Sequence, residues 1–275
     1  MKALVPSMQE LLEAGVHFGH KVSRGNPKMQ RYIYGVRDGV HIIDLAKSES
    51  ELKIAVNYVY NLGKEGKVLL VVGTKKQARE IVESLAKEAG AAYITSRWVA
   101  GLLTNFDEIK KNLNKLTQLK KEQESGELKR YTKREQLLTA RKIEKFEKEL
   151  GGVAGLETLP DAIFIVDAST EDTAVREARR VEIPLVGFAD TNVDPNVFDY
   201  PIPANDDGIK AIRIVCEAVI KAYGEGKKEE SRVKNQESRE VKVEEETSTA
   251  LSEETEVLEE EIEKEVLDES KSKVE

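Results

Sequence analysis

The sequence predicts an α/β fold, a doubly wound parallel sheet with an inserted helical hairpin. Three observations lead there. Short Val- and Ile-rich runs recur over residues 1–224 without alternating polar positions, as strands buried on both faces of a parallel sheet require. Segments with apolar residues three and four apart lie between them. One long stretch keeps the helical period alone and holds no proline.

Strands are expected at Tyr32–Val36, Val68–Val72, Ala91–Ile94, Ala162–Val166 and Leu185–Phe188. Between them, 49–62 spaces Leu52, Ala55, Val56 and Val59 along one helical face. Segment 76–89 does the same with Ala78, Ile81, Val82 and Leu85, and Gly90 supplies its stop. Segment 173–181 is a third helix. A fourth, 207–223, turns Ile209, Ile212, Val215, Ala218 and Val219 inward. Alternating strands and helices define the doubly wound class.

Residues 105–150 do not follow this rhythm. Ile109, Leu113, Leu116 and Leu119 form one stripe; beyond E-S-G-E at 124–127, Leu137, Leu138, Ile143, Phe146 and Leu150 form another. Two long helices paired in coiled-coil fashion about a glycine turn account for both. Residues 107–149 hold 13 bases and 9 acids. A solvated antiparallel arm explains most of these charges, and a basic projecting arm also suits RNA backbone or a neighbouring protein.

The formal net charge of −8 argues at first against a nucleic-acid partner. Its distribution reverses that argument. Residues 225–275 hold 19 acids and 9 bases, a net of −10, which leaves +2 over residues 1–224. The C-terminal segment is rich in Glu and Ser and has no aromatic residue, so it is expected to be a disordered acidic tail. The organisation is therefore an α/β body over 1–224, with the hairpin inserted at 105–150 and the tail at 225–275. The lone Cys216 excludes an internal disulfide framework and fits a reducing cytosol. No run approaches the roughly 20 apolar residues of a membrane span, and the opening M-K-A-L-V-P-S is too short an apolar run for a signal peptide.

Three motifs carry possible chemistry. The turn V-V-G-T-K-K at 71–76 follows a strand and opens a helix. Its free N–H groups, a Thr74 cap and the cations Lys75 and Lys76 make an anion site. It lacks the spacing of a nucleotide P-loop or a dinucleotide fingerprint. The second motif spans 15–37, which contains no acid but holds Lys21, Arg24, Lys28, Arg31 and Arg37. Glycines and Pro27 keep the backbone irregular, so it can follow a phosphate chain, where cations release counterions. Tyr32 and Tyr34 interleave with the bases, and belong either to the sheet core or to a stacking surface for unpaired bases. The third motif places Asp167 and Asp190 at the carboxyl ends of buried strands, where α/β enzymes carry their sites. No nucleophile–base pair accompanies them, so capping of loops is the plainer role. His17, His20 and His41 lack metal-ligand spacing, although His17 could meet Asp190 or Asp206 through the fold.

Taken in order, M-Q-E-L-L-E-A-G-V-H-F-G-H, R-G-N-P-K-M, V-H-I-I-D-L, V-G-T-K-K-Q-A, R-W-V-A-G-L-L-T-N-F, L-P-D-A-I-F-I-V-D, D-T-N-V-D-P and I-P-A-N-D-D-G-I-K-A-I fall between residues 8 and 212, in a likeness that extends over about residues 4–223. This series resembles the bacterial form of the second protein family of the small ribosomal subunit. The resemblance implies a flavodoxin-like parallel sheet with a coiled-coil arm, docked on small-subunit rRNA near the head–body junction. It implies neighbouring ribosomal proteins, in some bacteria including the mobile S-one protein at the mRNA exit side. It also implies a cytoplasmic, non-catalytic protein with no cofactor, metal, membrane or small-molecule partner. Glu182 stands where the family usually has Gly or Asn, so a strained or shifted helix stop is expected there.

The expected RNA-binding set is Lys21, Arg24, Asn26, Lys28, Arg31 and Arg37, with Lys75, Lys76 and Arg97 behind them; Trp98 is expected at the base of the arm. The competing readings are a nucleotide-dependent enzyme using residues 73–76 with Asp167 or Asp190, and a protein adaptor acting through the arm away from the ribosome.

Overall fold

A computed structural model describes residues 5–125 and 132–232. The chain forms two units, of which the first runs through Lys228. Its elements are α1 (Met8–Glu13), β1 (Phe18–Lys21), β2 (Ile33–Arg37), β3 (Val40–Ile43), α2 (Leu45–Lys64), β4 (Leu69–Val72), α3 (Arg79–Ala89) and β5 (Ala92–Ile94). There follow α4 (Phe106–Glu124), α5 (Lys133–Leu150), β6 (Ala162–Ile165), α6 (Asp172–Arg180), β7 (Leu185–Phe188) and β8 (Tyr200–Ile202). A last helix, α7, occupies 209–228. In the second unit residues 229–232 are helical, and the rest of the expected tail lies outside the described residues.

Five parallel strands run in the order β5-β4-β6-β7-β8. Successive residues of a strand point to opposite faces, so each fully buried strand feeds two cores. Leu69 and Val71 of β4 join Phe164, Val186 and Phe188 on the face covered by α2, α3 and α7. Leu70 and Val72 join Ile163, Ile165 and Leu185 on the other, under α6 and the roots of α4 and α5. This is the doubly wound arrangement the apolar runs indicate.

Three differences from expectation have physical causes. The strand expected at 32–36 is β2, and it belongs to a separate antiparallel sheet of order β1-β3-β2. Asp38 and Gly39, at φ 52° and 75°, close its hairpin; a two-residue D-G turn is the local signal that would have found β3. The three-residue β8, with Pro201, sits at the sheet edge, where a missing N–H is tolerated. The third difference concerns α3, which starts at Arg79 rather than residue 76. Thr74 does not cap it but donates to Glu171 instead.

The helical pair exists: α4 and α5 share Lys120–Glu147 at 2.8 Å, Ile109, Leu113 and Leu150 are buried at its root, and Ile143 is buried further along α5. Leu137 and Leu138, expected in the stripe, are 53% and 55% exposed. Ile209, expected inward, is 56% exposed in the first turn of α7; Ile212, Val215 and Val219 form the buried face.

The stop of α6 is a Schellman motif: Ile183 N–H donates to Ala178 O at 3.0 Å and Glu182 N–H to Arg179 O at 3.4 Å. The residue in the left-handed position is Glu182, φ 57°. A side chain there costs about 1–2 kcal/mol. Glycine removes that strain but adds unfolded-state entropy worth about 0.4–1 kcal/mol. Glu182→Gly is therefore expected to stabilise the chain by about 0.5–1 kcal/mol. A urea midpoint that fell rather than rose would contradict the strain.

Candidate nucleic-acid interface

The acid-free segment 15–37 wraps the carboxyl edge of the parallel sheet as β1, two 3₁₀ turns and β2. Buried Met29 and Tyr32 pin it to the second core, and the Tyr32 hydroxyl donates to Glu51 at 3.2 Å. Asn26 holds the turn: its side chain accepts from Lys28 N–H at 3.0 Å, while its own N–H donates to Thr191 O at 2.7 Å. The two tyrosines divide between the roles weighed for them. Tyr32 is core, whereas Tyr34 on β2 is 81% exposed.

The cations also divide. Lys21 and Arg24 are exposed and, among the described residues, carry no ion pair. Arg37 is exposed, and its 3.8 Å approach to exposed Asp38 is worth little. Arg31 lies 4.8 Å from the Tyr32 ring centroid and donates to Asn196 at 3.4 Å. Lys28 is held to Asp194 at 2.6 Å. Lys76 is exposed, and Arg97 approaches Glu149 at 3.4 Å at the root of α5.

Lys75, expected as a phosphate contact behind the first set, sits partly buried in a carboxylate cluster. Its ammonium is largely enclosed by three carboxylates, 2.7 Å from Asp206, 2.7 Å from Asp207 and 3.4 Å from Asp167. Burial works to lower its pKa, but the hydrogen bonds to Asp206 and Asp207 outweigh it and hold the ammonium above its ordinary range. Burial and the nearby Asp190 charge push the Asp206 carboxyl up to about 7, against the pull of Lys75. On Asp207 the Lys75 hydrogen bond dominates and keeps the pKa low.

His20 of β1 joins this network from the small sheet, with Nδ1 3.1 Å from Asp190 and Nε2 3.3 Å from Asp207. The Asp190 hydrogen bond raises its pKa against the opposing effect of burial. His20, not His17, is thus the histidine that meets Asp190 and Asp206; the His17 ring lies 4.0 Å from that of Phe18, tilted by 39°. One nitrogen and two carboxylates within 4.8 Å of one another form a donor set that a divalent cation can use, in competition with the Lys75 ammonium on Asp206.

The fold therefore does bring Lys75 against Asp167, as the enzyme reading requires, but as an ion-paired support. Asp167 also accepts from Thr170 N–H and Oγ1, and Asp190 from the N–H groups of Thr191 and Asp206. Their lone pairs hold loops together.

Sequence reasoning missed Glu177. From α6 its carboxylate accepts hydrogen bonds from the loop that leads into α4, including the Trp98 indole N–H at 3.2 Å. Nothing local marks it, because it reads as one more acid on an amphipathic helix.

The family described as Ribosomal protein S2 matches residues 11–226. A protein of Helicobacter hepaticus, described as small ribosomal subunit protein uS2, is 44% identical over 235 residues, 86% of this chain and 89% of its own length. Proteins described in the same words are 48% identical in Wolinella succinogenes, over 80% of this chain and 82% of theirs. In Coprothermobacter proteolyticus the identity is 41% over 93% of this chain and 94% of the relative.

Proposed function

The chain belongs to the ribosomal protein S2 family, and on that premise we propose that its N-terminal basic segment and its α4–α5 pair grip the backbone of small-subunit rRNA. As a member of that family it is a structural constituent of the small ribosomal subunit, cytoplasmic, and not an enzyme. Its partners are components of that subunit.

One observation carries the binding reading: an acid-free segment keeps Lys21, Arg24, Arg31 and Arg37 exposed on the edge of a rigid sheet. Such cations neutralise phosphates and release their counterions without reading sequence. Lys76 and Arg97 extend the same set. Lys28 and Asn26 act one step back, one tied to Asp194 and the other holding the turn. Lys75 gives the edge its shape through the carboxylates beneath it. In this reading the α4–α5 pair is a coiled-coil arm and the residues beyond 232 an acidic tail. The resemblance in sequence supports the S-one protein as one neighbour.

Sedimentation tests the assignment. The chain is expected to travel with small subunits and to leave them steeply as salt rises, with a log–log slope of roughly −4 for about five phosphate contacts. Release that ignores salt, or a chain found mainly off the ribosome, would favour the adaptor reading.

A further inference from the structure

The loop 97–105 joins β5 to α4, so it is one of two roots from which the helical pair projects. The other root is apolar. Leu150 and Val153 at the end of α5 pack with Leu102, Leu103 and Leu113 in the second core. Apolar packing is non-directional and limits distance more than angle. Hydrogen bonds are directional, and within the loop most of them converge on one carboxylate, beside the Arg97–Glu149 contact at 3.4 Å and the bond from Lys110 Nζ to Glu157 O at 2.8 Å.

Glu177 is 9% exposed. One oxygen accepts from Trp98 Nε1–H at 3.2 Å and Gly101 N–H at 2.8 Å. The other accepts from Leu103 N–H at 3.1 Å, and from Thr104 N–H and Oγ1–H at 3.5 Å. Other amides of the loop have backbone partners: Leu102 N–H donates to Val99 O and Asn105 N–H to Gly101 O. Asn105 begins α4 without a side-chain cap, so no side chain of its own fastens the first turn to the loop. Burial works to raise the Glu177 pKa, but the converging donors outweigh it and keep the carboxyl low.

We propose that Glu177 is the positioning residue of the α4–α5 pair: its carboxylate fixes the loop at the root and thereby the direction in which the pair meets the subunit. The residue touches no ligand. It acts through Trp98, Gly101, Leu103 and Thr104, and it joins α6 to an element inserted far from it in the chain. Charge-assisted bonds to N–H groups are stronger than neutral ones, and buried Leu103 N–H would be left without its acceptor if the carboxylate were lost. In Glu177→Gln, one carboxylate oxygen becomes an NH₂ donor facing other donors.

That the pair contacts the subunit rests on the reading above, and the test separates the two. In the full chain, spin labels on Lys53→Cys of α2 and Arg141→Cys of α5, both exposed, report the direction of the pair; Cys216 is buried and stays unlabelled. A second pair, Lys53→Cys with Glu80→Cys of α3, reports the body. In Glu177→Gln the distance distribution to α5 should broaden and shift while the body distribution stays sharp. Trp98 is the chain's single tryptophan, so a red shift of its emission should accompany the change. An unchanged α5 distribution overturns the proposal, and so does equal broadening of both pairs, which would make Glu177 a general stabiliser. Should Glu177→Gln fail to fold, Glu177→Asp carries the same test, because its carboxylate keeps the charge but falls one methylene short. Broadening with undiminished subunit occupancy would support the positioning role and refute the arm as a subunit contact.

Discussion

Reversing Lys21, Arg24 and Arg37 to glutamate is expected to abolish incorporation of the chain into small subunits while leaving its circular dichroism unchanged. All three side chains are exposed; among the described residues Arg37 makes a loose contact with Asp38, and Arg24 acts on Asp207 through its charge without a close ion pair. Removing them takes nothing from the core. Each phosphate contact contributes about 0.9 to the salt slope, so the neutral triple Lys21→Gln, Arg24→Gln, Arg37→Gln should lower that slope by roughly 3. Reversal adds repulsion to that loss. Quantitative mass spectrometry of gradient-purified subunits reads the occupancy, and normal occupancy of the reversed triple would end the assignment. Lys28→Glu is a poorer choice, because it sets a carboxylate against Asp194 and disturbs the turn it was meant to leave intact.

The largest stability effect is expected where α2 crosses α7. An added Cβ on Gly226 would overlap the Tyr60 carbonyl oxygen and lie 2.9 Å from Lys64 N. One on Gly63 would overlap the Tyr223 carbonyl oxygen and lie 3.1 Å from Lys227 N. The obstructing atoms are backbone and cannot turn aside. A helical Gly→Ala change ordinarily gains about 0.5–1 kcal/mol. Here the sign should reverse, since overpacking costs about 1–3 kcal/mol or more. Gly63→Ala and Gly226→Ala are each expected to lower stability by about 1–2 kcal/mol net, read as a fall in urea midpoint at constant slope. Stabilisation by either substitution would mean the helices do not approach so closely. The crossing also moves the edge of the body. Residues 225–228, expected in the tail on charge alone, belong to the first unit.

Sequence and structure agree where the signal is local. Leu69–Val72, Ala162–Ile165 and Leu185–Phe188 are legible because a strand buried on both faces tolerates no polar position. The α2 face at Leu52, Ala55, Val56 and Val59 is legible because 3.6-residue periodicity is written in consecutive residues. The strain at Glu182 follows from one residue type in one helix-stop position.

Within the candidate interface the sequence shows which side chains are cationic but not which remain available. Lys75 and Lys76 are adjacent, yet one is enclosed by carboxylates 92, 131 and 132 residues further along the chain and the other is exposed. Tyr32 and Tyr34 are two apart, and one is core while the other is surface.

By itself, then, the sequence determined the α/β class, the inserted helical pair, the absence of acids from residues 14–37 and the separation of a near-neutral body from an acidic end. Those properties reside in runs of neighbouring residues, where period and charge are read directly. Only the tertiary structure decided that β1, β2 and β3 form their own sheet, that His20 joins Asp190, that Lys75 is spent on an internal network, and that Glu177 holds the root of α4. Each depends on which strand ends and helices become neighbours. An ionisable side chain has the same local sequence whether it meets water, a distant opposite charge or a backbone amide, and the fold alone selects among them.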